Sequence, residues 1–422
     1  MALEEIRADA LRCTRCSYCK WIPFDLVKSD RFAVGCPSVA FKSFHSYSAG
    51  GRLITALSLA DGRSEITDRV VDIAFECLVC GSCDVSCKIC RYDMEPLNGI
   101  RELRCHLVEQ DRVPDTYRDT IENHRRTRNV FGREPSTRLD WAGGLGLRTL
   151  DDGPAEVLFH PGCRYSFDAK LAHVTRSAVA VLRAANVDFA VAADEGCCGG
   201  KFYDMGYRDE FANAATYNMD NWARHGVKTI VTPCATCFWA ISRLYPRVGQ
   251  TVEVVHIAEY ADRLVKEGRL KLTKELPMTA TWHDPCHLGR QGEPYEPWDG
   301  VEKKIFGQAV VYDPPRPRYN GTKGVYDPPR DLLKAIPGVE LVEMERNREA
   351  AWCCGAGGLV RETYPEFSAF TASERIAEAE ATGAEAIVTA CGGCERNFTG
   401  AVAASGSALK VFDIIELVEQ AL

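Results

Sequence analysis

A long apolar segment is missing from this sequence of 422 residues. Spanning a bilayer takes about 20 consecutive apolar residues, and the first residues, MALEEIRADALR, lack the apolar core of a secretory signal. No run of lysine and arginine interleaves with aromatic residues, and the net charge is -8, which argues against general nucleic-acid binding. We therefore expect a cytoplasmic protein with no direct membrane span, whose only link to a membrane would be through a partner subunit.

Cysteine, in contrast, is abundant, with 20 residues in the chain. A protein in a reducing compartment is not expected to form about ten disulfides. The thiols are also clustered: ten lie between Cys13 and Cys105, five between Cys163 and Cys237, and five between Cys286 and Cys394. This clustering predicts that the cysteines bind metal.

The amino-terminal cysteines resemble those of a two-cluster ferredoxin. Runs of the form CxxCxxC let three thiolates converge on one cubane, and the fourth ligand commonly comes from the other run. We predict two [4Fe-4S] clusters, one on Cys13, Cys16, Cys19 and Cys87, and one on Cys77, Cys80, Cys83 and Cys36. Cys90 is an alternative to Cys87. A pair of structural zinc sites is the competing interpretation, although zinc favours two separated CxxC pairs.

From residue 156 onward, short β-rich runs alternate with helical ones, which predicts parallel α/β units. The predicted strands are 157–159, 189–192, 229–232 and 252–255, and then 279–282, 340–342, 386–389 and 409–412. The second half repeats the first, since the segment FHPGC at 159–163 corresponds to WHDPC at 282–286. The second copy has about 33 extra residues between its first and second cysteine positions, a stretch rich in Pro and Gly that predicts a loop with turns.

Each copy carries five cysteines in the same order. They are Cys163, Cys197, Cys198, Cys234 and Cys237 in the first copy, and Cys286, Cys353, Cys354, Cys391 and Cys394 in the second. Adjacent cysteines in a strand would point to opposite faces, so each Cys-Cys pair is expected in a sharp turn, which the following glycines permit. The carboxyl ends of parallel strands are where such folds place their sites.

The expected architecture is α+β and multidomain. A helical ferredoxin-like domain with two [4Fe-4S] clusters spans 1–110, and a connector follows at 111–152. Two repeated α/β domains with Rossmann-like parallel sheets then span 153–270 and 271–422, the second with an insertion at about 293–323. Within the connector, the basic segment 124–128 is expected to form a solvated helix face.

The doubled five-cysteine motif resembles the CCG domains of the B and D subunits of heterodisulfide reductase, and the amino-terminal block resembles the C-like portion fused in the D subunit. The resemblance implies that each set of five thiolates holds a noncubane [4Fe-4S] cluster, with substrate bound between the two sets. The ten thiolates would then be the catalytic groups. The first copy fits the family spacing, whereas the second exceeds it because of the insertion.

Cleaving a disulfide takes two electrons, and iron–sulfur clusters deliver electrons singly, so two clusters facing one S–S bond suit this reaction. The leading hypothesis is an iron–sulfur oxidoreductase subunit that reduces a small-molecule disulfide or another bound acceptor. The alternative is a relay subunit of a larger flavin-containing complex, such as an aromatic acyl-CoA reductase or a hydroxy-acid oxidase. The resemblance implies a flavin-containing A-like subunit and other redox subunits as partners.

Basic residues beside the cysteines are further candidates for binding an anionic substrate or tuning cluster potential, although each alone is more often structural. They are His160, Arg164, Lys201, His283, His287, Arg290 and Arg361. His256 ends a predicted strand where the repeat has Asp413, which favours a structural role. Cys90 and Cys105 are left over, and a buried thiol is the default interpretation for them.

Overall fold

The structure is a computed structural model. It describes residues 2–5, 7–90, 94–296, 298–305, 309–315, 317 and 319–422. The insertion of the second copy therefore falls partly outside the described residues. The domain limits given above stay a prediction.

The amino-terminal part is helical, as expected. Its helices are α1 Ala2–Glu5, α2 Arg7–Arg12, α3 Pro37–Lys42, α4 Ala49–Ala60, α5 Asp68–Phe75, α6 Ser82–Cys90 and α7 Pro96–Glu109. Two of these helices begin at a polar N-cap residue. The side chain of Ser48 accepts a hydrogen bond from Gly51 N at the start of α4, and that of Thr67 accepts one from Val70 N at the start of α5. The helices are short, and the cysteines lie mostly in the loops between them.

The connector contains one long helix, α8 Asp115–Thr127, which starts after Pro114 and ends with Arg128 in the left-handed conformation. The predicted solvated face is only partly correct: Arg125 and Arg126 are exposed, but His124 is buried against Phe202. One face of α8 packs into the protein because the spacing of its apolar residues follows the helical period. The connector is thus part of the core and not a flexible linker.

The first α/β unit has a parallel sheet in the order β1-β2-β3. Its elements are β1 Val157–Phe159, α9 Gly162–Phe167, α10 Ala172–Ala184, α11 Gly200–Met205, α12 Arg208–Arg224, β2 Thr229–Thr232, α13 Ala235–Trp239, β3 Glu253–His256 and α14 Ile257–Lys266. The strand predicted at 189–192 is reduced to bridges at Ala190 and Val191. The other three predicted strands are confirmed to within a residue.

The second unit has a four-stranded parallel sheet in the order β7-β4-β8-β9. Its elements are β4 Met278–Trp282, β5 Val301–Ile305, β6 Ala309–Asp313, α15 Asp327–Ala335, β7 Val339–Val342, α16 Val360–Thr363, α17 Pro365–Glu380, β8 Ala386–Thr389, α18 Gly392–Ser405, β9 Lys410–Asp413 and α19 Ile414–Gln420. Strands β4, β8 and β9 correspond to β1, β2 and β3. The bridge of Ala190 to Leu158 occupies the place that β7 takes beside β4. Both copies therefore share one topology.

The insertion was predicted as a loop, but it contains a β-hairpin. Its strands β5 and β6 pair antiparallel from Val301↔Asp313 to Ile305↔Ala309. Two β-branched residues of β6, Val310 and Val311, favour a strand, although the surrounding prolines hide the signal. The hairpin has no partner strand in the described part of the chain.

The repeat also extends to the last residue of the third strand. His256 and Asp413 are both fully buried and both cap the helix that follows, accepting from Ala258 N at 3.2 Å and Ile415 N at 3.1 Å respectively. This supports the structural interpretation of His256.

Two large apolar cores join the parts of the molecule. One contains residues of both α/β units, including Phe159 and Trp282, and the other joins the amino-terminal helices to the first unit, including Phe75 and Phe202. Burial of apolar surface is the main driving force for such packing, and it stabilises the folded protein by about 25 cal/mol for each Å² that is buried. The cysteine sets of different parts are therefore held in fixed relative positions.

One glycine at the contact between α7 and the end of α11 has no room for a side chain. Gly206 has φ +97°, and a Cβ added there would lie 2.7 Å from Arg104 C and 2.8 Å from Cys105 N. We predict that Gly206→Ala lowers the free energy of unfolding by about 1–3 kcal/mol through backbone strain, with an added cost from the clash. Chemical denaturation followed by circular dichroism measures the loss.

The matched control is Gly249→Ala, since Gly249 has φ +77° and no described atom lies within 4 Å of an added Cβ. It is expected to show the backbone cost of about 1–2 kcal/mol alone. Equal losses in the two variants would contradict the close packing at Gly206.

Candidate metal centres

The first amino-terminal set consists of four thiols around one cavity of about 30 Å³. They are Cys13, Cys16, Cys19 and Cys87. The loop between α2 and α3 turns sharply because Arg15 and Ser17 adopt positive φ angles of 58° and 68°, which brings its three thiols together. Helix α6 supplies the fourth, and apolar residues, including Leu53 and Met94, surround the set.

The second amino-terminal set lines a separate cavity of about 20 Å³. Its thiols are Cys36, Cys77, Cys80 and Cys83. Cys36 stands at the start of α3, and the loop carrying Cys77 and Cys80 turns at Val79 and Gly81, with φ 43° and 78°. Burial raises the pKa of the Cys36 thiol to about 12, so a metal that binds there must displace its proton.

The structure therefore brings together the two sets of four that the spacing predicts. Whether each set holds a cluster stays a prediction. The side chain of Cys90, the alternative to Cys87, lies outside the described residues. Cys105 is buried away from both sets, and Arg208 Nε donates to its sulfur at 3.3 Å.

The first carboxy-terminal set occupies the carboxyl end of the first sheet. Its five thiols line one cavity of about 80 Å³: Cys163, Cys197, Cys198, Cys234 and Cys237. The pair Cys197-Cys198 lies in a turn that Gly199 continues with φ +77°. Hydrogen bonds from Cys197 and Cys237 lower the pKa of Cys198 to about 6, against the effect of burial, which makes Cys198 a ready thiolate ligand.

The second carboxy-terminal set lies at the corresponding end of the second sheet. Its thiols are Cys286, Cys353, Cys354, Cys391 and Cys394. Cys353 packs in one buried cluster with Cys286, and the sulfurs of Cys354 and Cys394 lie within 4.8 Å of each other. Gly355, with φ +88°, continues the turn that contains the cysteine pair. Cys391 starts α18 just as Cys234 starts α13.

The donor chemistry of all four sets suits iron–sulfur clusters. The 19 cysteines whose side chains the structure describes are free thiols. A [4Fe-4S] cluster is ordinarily held by four cysteine thiolates, and each set provides at least four. The five-thiol sets have one more donor than a cubane uses.

The four sets follow one another through the molecule. Cys19 of the first set shares an apolar cluster with Cys77 and Cys83 of the second set. Cys80 of the second set and Cys353 of the second carboxy-terminal set lie in one buried cluster, and the interaction with Cys353 lowers the pKa of Cys80 to about 6. Cys391 of the second carboxy-terminal set also lines the cavity of the first carboxy-terminal set. Sequence spacing does not indicate this order.

Arg290 lies at the junction between the amino-terminal and carboxy-terminal sets. Its Nε donates to Cys80 O at 2.7 Å, its Nη1 donates to the carbonyls of Glu349 and Ala351 at 2.7 Å each, and its Nη2 is buried with no partner among the described residues. Its charge favours thiolate forms of the neighbouring Cys80 and Cys286. The flanking Arg290 thus stabilises negative charge where two sets meet.

His287 faces the same region from the other side. It stacks on Trp239, with ring centroids 4.3 Å apart, and its Nε2 lies 3.5 Å from Asp204 Oδ2. Burial opposes its charge, but Cys286 and Asp204 together raise its pKa to about 9. The positive charge of His287 adds to the positive charge of Arg290.

Three other flanking residues surround the space between the carboxy-terminal sets. Arg164 and Lys201 line the cavity of the first set. Arg164 Nη2 lies 3.6 Å from Glu362 Oε1, and Arg361 Nη1 is buried with no described partner. Burial lowers the pKa of Lys201. The cavity lining therefore includes two basic side chains, Arg164 and Lys201, and Glu362 pairs with Arg164.

The remaining two flanking residues, His160 and His283, are buried beside the carboxy-terminal sets. Their orienting partners are Glu195 and Arg375, with ring-nitrogen distances of 2.7 Å and 3.1 Å. Sequence analysis missed both partners. The only signal for Glu195 in the sequence is a difference between the two copies. Glu195 stands two residues before the first cysteine pair, whereas Ala351 holds the same position before the second pair.

Comparison with known families agrees with this arrangement. The 4Fe-4S dicluster domain family matches residues 9–89, and the cysteine-rich domain family, CCG, matches residues 157–242 and 316–399. The second CCG match begins after Cys286, because the insertion separates that cysteine from the rest of its set. Among the described residues, no helix is long and apolar enough to cross a membrane.

Several curated proteins are similar over much of the chain. The D subunit of the dihydromethanophenazine:CoB–CoM heterodisulfide reductase of Methanosarcina mazei is 28% identical over 97% of this chain and 93% of its own length. The EtfAB:quinone oxidoreductase of Syntrophomonas wolfei is 30% identical over 66% of this chain and 36% of its own length. The B subunit of the fumarate reductase (CoM/CoB) of Methanothermobacter marburgensis is 27% identical over 82% and 61%.

The matched families account for the two kinds of cysteine set and for their order along the chain. The similarity to the D subunit covers the dicluster part, the connector and both CCG copies together. This chain belongs to the iron–sulfur oxidoreductase subunits that resemble the D subunit of heterodisulfide reductase, with a 4Fe-4S dicluster domain followed by two CCG domains.

Proposed function

We propose that this chain accepts electrons at its amino-terminal thiol sets and delivers them in pairs to a disulfide, or another two-electron acceptor, bound between its two CCG units. The observation that carries the proposal is the series of contacts that joins the four sets, above all the packing of Cys80 with Cys353 in one buried cluster. When bound, cubane clusters at the amino-terminal sets and noncubane clusters at the CCG sets would supply one-electron transfer.

The thiols would hold these groups in the sets already described. Cys13, Cys16, Cys19 and Cys87 hold the first, and Cys36, Cys77, Cys80 and Cys83 hold the second. Each group of five CCG cysteines holds one more. Arg290 and His287 stabilise the thiolates where the second set meets the CCG cysteines.

The acceptor site lies beside the group held by the first CCG set, where Cys391 of the second set also lines the cavity. This cavity, of about 80 Å³, is larger than the cavities of about 30 and 20 Å³ at the amino-terminal sets. Lys201 and Arg164 form its cationic side. They bind and orient an acceptor with an anionic group, so that its reactive bond faces thiolates of both sets.

The second candidate is a relay without its own substrate. The names of two relatives favour it, since one is an EtfAB:quinone oxidoreductase and another is part of a fumarate reductase. A relay needs an accessible donor edge, and Cys16 is exposed at the first set. In either function we propose that a flavin-containing A-like subunit and other redox subunits are the partners.

The test uses protein purified without oxygen and loaded with iron and sulfide. We expect about 16 iron atoms per chain with equal sulfide, and reoxidation of the dithionite-reduced protein by disulfides that carry carboxylates. Lys201→Met is expected to raise the disulfide concentration needed for half-maximal reoxidation, with iron content unchanged. A fully loaded protein that no disulfide reoxidises, but that a reduced flavoprotein reduces, would establish the relay instead.

A further inference from the structure

Two histidines occupy equivalent positions in the two CCG copies. His160 follows β1, three residues before Cys163, and His283 follows β4, three residues before Cys286. Their exposed fractions are 0% and 1%. In both rings Nε2 has no hydrogen-bond partner among the described residues, while Nδ1 is held by a charged side chain. The charge of that side chain is opposite in the two copies.

His160 is oriented by an acid. Its Nδ1 lies 2.7 Å from Glu195 Oε2, and the other carboxylate oxygen accepts from Arg138 Nη1 at 3.0 Å. All three side chains are buried. A carboxylate only accepts hydrogen bonds, so Nδ1 carries the ring proton. In the neutral ring, Nε2 of His160 therefore has a lone pair and no hydrogen.

His283 is oriented by a base. Arg375 Nε donates to its Nδ1 at 3.1 Å, and Arg375 Nη1 is fixed by Glu378 Oε2 at 2.7 Å and by the carbonyl of Arg346 at 2.8 Å. A guanidinium only donates, so Nδ1 accepts and the ring proton lies on Nε2. The fully buried Arg375 leaves the ring no second proton.

The ring of His283 is close to two thiols of the second CCG set. A ring nitrogen of His283 and the sulfurs of Cys354 and Cys394 lie within 4.8 Å of one another. Because Arg375 is bonded to Nδ1, Nε2 is the nitrogen available to these sulfurs. Phe398 packs edge-on against the ring, with centroids 4.7 Å apart, and helps to fix its plane.

We propose that these histidines make the two CCG sites electronically different: His283 donates an Nε2–H hydrogen bond to Cys354 in the second site, whereas His160 gives the first site no such donor. The inference rests on the proposed function, because it requires a cluster in each set. A hydrogen bond to a ligating sulfur stabilises the reduced, more negative state and raises the reduction potential. His283 and Arg375 are positioning residues, which act through Cys354.

The first test removes the donor from the second site. In His283→Leu protein purified without oxygen, we expect a lower midpoint potential for the second site in an EPR-monitored titration, and the loss of one exchangeable-proton coupling in spectra recorded in H₂O and D₂O. The matched variant His283→Gln keeps an N–H donor near the position of Nε2 and is expected to restore both. The first site is expected to be unchanged in both variants. The EPR signals are assigned to the first and second sites with the variants Cys237→Ala and Cys394→Ala, which remove one thiol from the first and the second CCG set respectively.

The second test adds a donor to the first site. In Glu195→Gln, Arg138 holds the amide oxygen, so the amide N–H₂ faces Nδ1 of His160 and moves the ring proton to Nε2. We expect a higher midpoint potential and a new exchangeable-proton coupling at the first site only.

The outcomes separate the inference from the proposed function. If unmodified protein contains only about 8 iron atoms per chain, the CCG sets hold no clusters and the proposed function fails. If iron is complete and His283→Leu changes neither the midpoint potential nor the proton coupling of the second site, the inference is wrong and the proposed function stands.

Discussion

Cys36→Ala is expected to remove about a quarter of the iron from the chain, because it leaves the second amino-terminal set with three thiols. This set lies between the first set, which it meets at Cys19, and the CCG sets, which it meets through Cys80 and Cys353. Losing it interrupts the only series of set-to-set contacts that the described residues show. Electron delivery from a protein donor to a CCG-bound acceptor should then fall to background.

Two measurements check this expectation. Iron and sulfide analysis of protein purified without oxygen gives the cluster content, and EPR spectra after reduction show which signals remain. Reduced ferredoxin serves as a donor too large to enter the CCG cavity, and dithionite as one small enough to reach every site. The variant should lose reduction of the CCG sites by ferredoxin and keep reduction by dithionite.

Cys105→Ser is the matched control. Cys105 is a buried thiol that belongs to no set, and a serine keeps a polar atom for the contact with Arg208 Nε. Its iron content and electron delivery should match those of the unmodified protein. Unchanged iron in Cys36→Ala would show that Cys36 is not a ligand and that another group completes the set.

Asp284→Ala is expected to have the largest effect on stability. The buried carboxylate accepts from Arg330 Nη1 at 2.7 Å and Nη2 at 2.9 Å, from Trp282 Nε1 at 2.9 Å and from Arg348 N at 2.7 Å. Removing it leaves a buried guanidinium without its bidentate partner, which costs about 3–5 kcal/mol. Glu343, which also accepts from Arg330, keeps the loss near the lower end of that range.

Differential scanning calorimetry on the anaerobic protein measures the change as a lower unfolding midpoint. Glu156→Ala is the matched control, because it breaks an ion pair with Lys228 whose side chains are 72% and 69% exposed. An exposed pair of this kind contributes about 0–1 kcal/mol. Similar midpoints for the two variants would mean that the Asp284 network does not stabilise the second unit.

The sequence predicts the sites better than their connections. The two-cluster ferredoxin pattern assigns Cys87, with Cys90 as the alternative, to the first set and Cys36 to the second, and the structure places Cys87 and Cys36 with those sets. The contact of Cys80 with Cys353 depends on how separate parts of the chain pack. No local pattern encodes such packing, and the same is true of Arg375 beside His283.

Two predictions of secondary structure, the strand at 189–192 and the loop in the insertion, also fail because a local pattern does not show what a segment pairs with. The segment at 189–192 has the apolar character of a strand, but it forms only single bridges to two different neighbours, Ala190 with Leu158 of β1 and Val191 with Thr149. The hairpin of the insertion was missed because turn-forming residues dominate its composition. In both cases the pairing partner determines the structure.

The contact between Cys80 and Cys353 also constrains how the protein matures. Cys353 follows Cys80 by 273 residues (353 − 80), so the two can meet only after the first CCG unit and much of the second have been synthesised. The series of sets that depends on this contact is therefore completed only once the second CCG unit packs against the amino-terminal part.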